Sequence, residues 1–525
     1  MKRILKSKIL PSIMLVLTVI STIIYYAARA SWVFIDITLN IEGFTFGLLY
    51  AMIIAVIANA IIAAVRLYEV KKNDEPIYMK KCYTVISIIS AVFSVLFFVA
   101  GLVFAVLSAT AESASQYFPY LENSLFNAAF FILVPFLAVF FPLFKGKSRK
   151  AVLAIVLVMF TVIGVCTVFP VGKYEITCDP TVIDTGKDYS VVFSTSDSGT
   201  GYVEYTYNGK DYKVYDQNSG RLNTDSLIHS INIPYEHLDN NTYKIGSVRV
   251  MEQFSYGSHT GKEVVSGEYK FVPATGDDIT FLVISDWHTR IGQVYETLVY
   301  IGDYDAVLLM GDASPGVDFE SEVVKNTVEL AGNLTHGTKP VLYARGNHET
   351  RGDYAGKLAD ALGMDEFYFT ADIGNYSFVV LDSGEDKDDS HPEYGGMTDY
   401  NTYRSQMVEW LKETETTNDK VIALSHSWQI SSVEEELSQT AWDELDRLGT
   451  KLLVSGHNHH CRLLGDTEKE SEMLSAHPDI TGYFDGGKSG DNYVASKMTL
   501  SSETIQLEAY NNLGEKVFEH SINWN

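Results

Sequence analysis

Cysteine is scarce in this chain. Its 525 residues hold four, Cys82, Cys166, Cys178 and Cys461, at spacings that offer no thiolate metal site. A cysteine-ligated metal is thereby excluded, and only a bridge between Cys178 and Cys461 stays open. Positive charge is the second shortage: 40 Lys and Arg stand against 66 Asp and Glu, a net charge of −26. The deficit is uneven. Residues 1–170 carry 14 basic and 7 acidic side chains, or +7, and −26 less +7 leaves −33 for residues 171–525. A segment that acidic repels polyanions, which excludes nucleic acid as a partner. The third absence lies in the long apolar runs of the first 170 residues. Their middles carry no ionisable side chain and so offer no transport path.

Those runs are roughly Ile9 to Tyr26, Phe46 to Val65, Tyr83 to Ala109, Leu125 to Phe144 and Ala151 to Phe169. Each is long enough to cross a hydrocarbon core of about 30 Å as a helix. The expectation is a transmembrane bundle of five helices over residues 1–170. The alternative for the first run is a cleaved signal peptide, because Lys2, Arg3, Lys6 and Lys8 precede it and Ala28-Arg29-Ala30 follows. Arg66, Lys71, Lys72, Lys80 and Lys81 lie between runs two and three, and KGKSRK lies between runs four and five. The two other loops contain no Lys or Arg between residues 35–44 and 111–123. By the positive-inside rule the N-terminus is cytoplasmic and everything after the fifth run is outside. The expected location is therefore a multi-pass cell-membrane protein with an extracytoplasmic remainder.

Residues 171–275 change texture. Short runs such as SVVFST, GYVEYTYN, HSINIPY and TYKIGSVRV, broken by Asn-Gly and Asp-Asn-Asn, predict a small antiparallel β-sandwich. This segment has no cluster of His, Asp or Cys, so its expected role is a spacer or a wall. Asn240, Asn333 and Asn375 begin glycosylation-type triplets. From residue 276 to 525, apolar strands alternate with helical spacing, an α/β pattern. The strands are ITFLVIS, YDAVLLM, KPVLYAR, YSFVVLD, VIALSH and KLLVSG. The helices are Val294 to Ile301, Glu320 to Leu334, Tyr403 to Thr414 and Val433 to Leu448.

Several of these strands end alike. ITFLVIS leads into Asp286-Trp287-His288, VLLM into Gly311-Asp312, and VLYAR into Gly346-Asn347-His348-Glu349. VIALS leads into His426, and KLLVS into Gly456-His457-Asn458-His459. Alternation along an extended chain puts residues i and i+2 on one side, so Asp286 and His288 are expected to converge. Loops beyond the carboxyl ends of strands gather on one rim, where ligands bind. A set of Asp, His, Asp, Asn, His, His and His suits a pair of divalent first-row metals better than magnesium or calcium, which prefer oxygen-only cages. Two such ions can clamp a phosphate and bring the pKa of a bound water from about 15.7 to near 7, giving a hydroxide nucleophile at neutral pH.

At these residues the chain resembles the calcineurin-like, binuclear metallophosphoesterase family over roughly residues 278–520. The resemblance implies a two-sheet β-sandwich flanked by helices rather than an open sheet. It implies Asp286, His288 and His459 as ligands of one metal, Asn347, His426 and His457 as ligands of the other, and Asp312 as the bridge. His348 is the implied catalytic histidine facing the phosphate, with Glu349 and Arg345 as supporting groups behind the ligands. The segment ahead of it resembles the N-terminal, fibronectin-III-like domain of purple acid phosphatases. The motifs depart from that group, which has Gly where this chain has His288 and a tyrosine where it has Pro315. Manganese is therefore favoured over iron or zinc.

The function implied is a membrane-anchored, extracytoplasmic phosphoesterase acting on mono- or diesters of small or lipid-linked substrates. A purple-acid-phosphatase-like monoesterase, or a membrane sensor that binds a phosphorylated ligand without turnover, are the alternatives. No partner protein is legible in the sequence.

Overall fold

The computed structural model describes residues 174–524 apart from residues 218, 223, 255, 256 and 432. The five apolar runs expected to cross a membrane lie outside the described residues. Among the described residues, no helix is long and apolar enough to cross one.

The β-rich segment holds β1 (Thr181–Asp184), β2 (Tyr189–Tyr207), β3 (Lys210–Tyr215), β4 (Ser226–Ile233), β5 (Thr242–Phe254), β6 (Gly257–Val265) and β7 (Tyr269–Lys270). The strands follow the alternating runs, but they do not make the separate sandwich expected from them. β1 pairs in parallel with β10 (Pro340–Tyr343) of the next segment, Val182 opposite Pro340 and Ile183 opposite Val341, and antiparallel with β2. Hydrogen bonding thus runs unbroken from the lobe into the following strands, in one 14-stranded sheet. Alternation marks a segment as strand but does not say which edge it pairs with, and the edge of β10 offered a row of free backbone groups. The lobe keeps a core of its own around Val191, Phe193, Val203, Ile231, Ile245 and Phe271.

The remaining strands are β8 (Ile279–Ile284), β9 (Ala306–Leu309), β11 (Phe369–Ile373), β12 (Tyr376–Leu381), β13 (Val421–Ser425), β14 (Thr450–Ser455), β15 (Cys461–Leu463), β16 (Thr481–Asp485), β17 (Gly487–Ser489), β18 (Asn492–Leu500), β19 (Thr504–Asn511) and β20 (Lys516–Asn523). The first sheet runs β20-β19-β18-β8-β9-β10 before it reaches the lobe, and the second runs β11-β12-β13-β14-β16-β15. Two sheets, as the resemblance implied, therefore enclose one core. In the second sheet the central strands are apolar over most of their length because both faces are covered. Phe378, Val380, Ile422, Leu424, Leu452 and Val454 face the intersheet core. Their neighbours Val379, Leu381, Val421, Ala423 and Leu453 pack outward with Met407, Leu411, Trp442 and Leu445.

Those outer residues belong to helices. After α1 (Ile291–Ile301) and α2 (Glu329–Thr335) come α3 (Tyr400–Glu413), α4 (Glu435–Arg447) and α5 (Glu468–Ala476). Asp399 caps α3, its carboxylate accepting the Thr402 N–H, and Thr467 with Glu470 makes a capping box at α5. The stretch predicted as one helix over 320–334 contains a π turn at Val324–Val328 ahead of α2. That turn has a purpose at the site.

Candidate metal centre

β8, β9 and β10 run in parallel in one sheet, as do β13 and β14 in the other. Their carboxyl ends open on one rim, and each delivers a loop carrying the expected donors. Asp286 and His288 do not converge through extended geometry, as alternation suggested. The strand ends at Ile284, and Asp286, His288 and Thr289 lie at φ 47°, 38° and 68°. Asp312, His457 and His459 are likewise left-handed, at φ 60°, 68° and 54°. Non-glycine residues cost of order 1–3 kcal/mol each in sparsely populated backbone regions, so five donors held this way mark a constellation imposed by its surroundings.

Two glycines of the motifs are required by close approach. A Cβ on Gly346 would sit 2.3 Å from Asp312 Oδ1, and one on Gly456 would sit 2.6 Å from Asp286 Oδ2. Trp287, between two donors, is the wedge that fixes the first loop. It is fully buried, and its Nε1–H donates to the Asn326 carbonyl at 2.8 Å, inside the π turn. π turns reroute backbone carbonyls away from the usual helical ladder. A sequence reading has no signal for that partner.

The donors fall into overlapping groups: Asp286 with His288 and His459 at one end, Asp312 with His426 and His457 at the other, and His288, Asp312 and His348 between them. His459 Nε2 lies 3.4 Å from Asp286 Oδ1 and 3.4 Å from His288 Nε2. Asn347 Oδ1 lies 3.1 Å from His457 Nδ1, which brings it to the second group. Asp312 stands between the groups. Its Oδ1 accepts the His348 backbone N–H at 3.0 Å, and its Oδ2 faces the imidazoles of His426, His288 and His348 at 3.2, 3.8 and 3.8 Å. The atom that faces both groups is thus a single oxygen, Oδ2.

The outer nitrogens are anchored. His426 Nδ1 donates to Met310 O at 2.5 Å, and His459 Nδ1 donates to Lys488 O at 2.9 Å. His348 Nδ1 donates to Pro315 O at 2.8 Å. Each anchor leaves Nε2 pointing inward. The position at which purple acid phosphatases were expected to have a tyrosine thus supplies a carbonyl to His348. Glu349 is buried, and its carboxylate accepts the N–H groups of Asp312, Ala313 and Gly346 at 2.8, 2.6 and 2.9 Å. Arg345 lies elsewhere: it forms an ion pair with buried Asp382 at 2.6 Å and stacks on Phe367. His460 is exposed, and His336 caps α2 and pairs with Asp179. Cys178 and Cys461 are both free thiols.

Electrostatics fit cation binding. Burial pushes His288 and His457 down to about 4, and lowers His459 too, so these imidazoles are neutral and ready to donate a lone pair. Burial pushes the Asp286 carboxyl up to about 7. Burial would also raise Asp312, but the adjoining His426 holds it below the usual carboxylate range. The same pairing overcomes burial at His426 and raises it. Asp286 Oδ1 and His426 Nε2 are buried, 3.9 Å apart, and have no hydrogen-bond partner. Buried polar atoms without partners are rare, and a carboxylate and an imidazole left this way fit donors to cations.

Residues 279–461 match the calcineurin-like phosphoesterase family. This segment is a calcineurin-like metallophosphoesterase domain. Among solved structures, PhoD aligns with 66% of this chain and 94% of its own at 12% identity and a TM-score of 0.41. YfcE, a phosphoesterase from E. coli, aligns with 47% of this chain and all of its own at 14% identity and a TM-score of 0.24. A metallophosphoesterase from Sphaerobacter thermophilus aligns with 42% and 83%, at 15% identity and a TM-score of 0.23. No curated protein matched. Two residues at the metallophosphoesterase centre were not anticipated from sequence, Arg351 and Glu385. Arg351 Nη1 lies 3.4 and 3.5 Å from the ring nitrogens of His348, and Glu385 binds that arginine.

Proposed function

We propose that this chain is a metal-dependent phosphoester hydrolase. The observation that carries the reading is the joint arrangement of seven donors with His348, whose Nε2 faces Asp312 Oδ2 without belonging to either terminal group. A binder of phosphate needs the donors; a histidine aimed beside them serves a reaction.

Asp286, His288 and His459 would hold one divalent cation and Asn347, His426 and His457 the other, with Asp312 shared. Manganese is favoured, in keeping with a mixed oxygen and imidazole set. When bound, two such ions supply positive charge at the phosphate and lower the pKa of a water to near 7. The protein's own groups do the rest. The Pro315 carbonyl holds the His348 Nδ1–H, so the ring presents Nε2 to the substrate. Protonated there, it donates to a phosphate oxygen or to the leaving alkoxide. Asp312 is kept ionised by His426, and the Asn347 carbonyl adds a donor without adding negative charge. Backbone strain at five donors holds the centre preorganised.

The substrate class proposed is a phosphate mono- or diester, small or lipid-linked. The apolar runs of residues 1–170 and their flanking Lys and Arg support a membrane anchor with residues 174–525 on the extracytoplasmic face. The test is hydrolysis of bis-para-nitrophenyl phosphate and para-nitrophenyl phosphate by the full chain with added manganese. Turnover abolished in both Asn347→Ala and His348→Ala supports the reading, and His348→Ala is expected to keep its manganese while losing about 10²- to 10⁴-fold in rate. A folded, manganese-loaded protein that turns over neither ester would sink it in favour of the phosphate-binding sensor. Cleavage of residues 174–525 by protease added outside sealed cells tests the sidedness.

A further inference from the structure

We propose that Arg351 and Glu385 are a positioning pair that ties the acidic loop of residues 383–400 to the metal centre and sets the orientation of Asn347 and His348. The Glu385 side chain is fully buried, although it opens a run of charged residues. Its carboxylate accepts Arg351 Nε at 2.5 Å and Nη2 at 2.6 Å, a two-pronged grip that fixes the guanidinium plane. The same carboxylate stands 3.4 Å from Asn347 Nδ2.

That second contact matters because an asparagine amide has two unlike ends. With Nδ2 drawn towards Glu385, Oδ1 is turned towards His457; a flipped amide would present hydrogens where a cation donor is needed. Across the turn His348–Thr350, Arg351 comes back beside His348, its Nη1 at nearly equal distances from both ring nitrogens. The imidazole is thus held between this guanidinium and the Pro315 carbonyl. The loop itself is anchored from beneath, where buried Arg404 donates to the carbonyls of Ser383 and Glu385 at 3.2 and 3.1 Å. Loop, carboxylate, amide and imidazole form one connected chain.

The test uses the full chain with manganese alone as one probe and bis-para-nitrophenyl phosphate as the other. Only the kinetic arm rests on the phosphoesterase reading. By titration, Glu385→Ala should weaken one of two manganese sites about 10- to 100-fold, the range for outer partners of a ligand. Glu385→Gln, which keeps an acceptor for Asn347, should recover most of that loss. Arg351→Gln should lower kcat about tenfold at unchanged KM, with partial rescue in Arg351→Lys. The double variant Arg351→Gln/Glu385→Gln should be no slower than the slower single one. Manganese affinity within twofold of wild type in Glu385→Ala, or kinetic losses that multiply in the double variant, would overturn the pair. If Glu385→Ala does not fold, a manganese loss in Glu385→Gln of a few-fold supports it and no loss overturns it. If the wild type hydrolyses neither ester, the phosphoesterase reading fails while the manganese titrations still decide the pair.

Discussion

Glu349→Ala is the perturbation whose cost follows most directly from the geometry. The carboxylate of Glu349 accepts three backbone N–H groups from two different loops, those of Asp312, Ala313 and Gly346. All three contacts are buried, and each donor left unpaired costs about 1–3 kcal/mol. Water entering the vacated space offsets part of the sum, so the expected loss is about 3–5 kcal/mol. For a folded unit this size that lowers Tm by roughly 5–10 °C. Because the two loops also carry Asp312 and Asn347, manganese affinity should fall about 10- to 100-fold, or about 1.4–2.7 kcal/mol. Glu349→Gln should show less than half of each effect: its oxygen can serve the Asp312 and Gly346 donors, leaving its amide against the Ala313 N–H. The assay is thermal denaturation over a manganese titration, in which the stabilisation gained at a given concentration reads the affinity. A Tm within 1 °C of wild type, together with the same manganese-induced rise, would refute the claim that Glu349 joins the loops.

Asp312→Asn removes the negative charge shared by both donor groups, and bound manganese is expected to fall from two ions per chain to at most one, as metal analysis after gel filtration will read. Manganese affinity should decrease as pH falls. Asp286, raised to about 7 by burial, is increasingly protonated below that value, and raised His426 already carries a proton that a cation must displace. Calorimetry in buffers of different ionisation enthalpy should therefore find more protons released per manganese at pH 6 than at pH 8; equal release would contradict those directions. Trp287→Phe keeps the apolar wedge but leaves the Asn326 carbonyl without its donor, at a cost of about 1–3 kcal/mol, and should weaken manganese binding through Asp286 and His288 on either side. Unchanged stability and affinity would show that ring packing alone sets the loop.

The sequence by itself determined the element order of the second half and which side chains stand at the ends of its strands. Continuous apolar runs such as VIALS and KLLVS reflect strands covered on both faces, and each ends in chemistry because strand ends are where a covered sheet meets solvent. Local patterning could not determine pairing. β1 and β10 are adjacent only because two edges met in the tertiary fold, so the lobe joined the main sheet where alternation suggested a separate sandwich. Nor could it determine how Asp286 and His288 converge. Alternation gave the convergence, but the backbone reaches it through left-handed conformations that only a packed site and a buried Trp287 can hold. Arg345 and Arg351 show the same limit: both flank the Gly-Asn-His motif in sequence, yet one is spent on Asp382 and the other is held by Glu385. A side chain's partner across more than thirty residues depends on which loops the two sheets bring together, and that is decided by packing between the sheets rather than by any property of the local sequence.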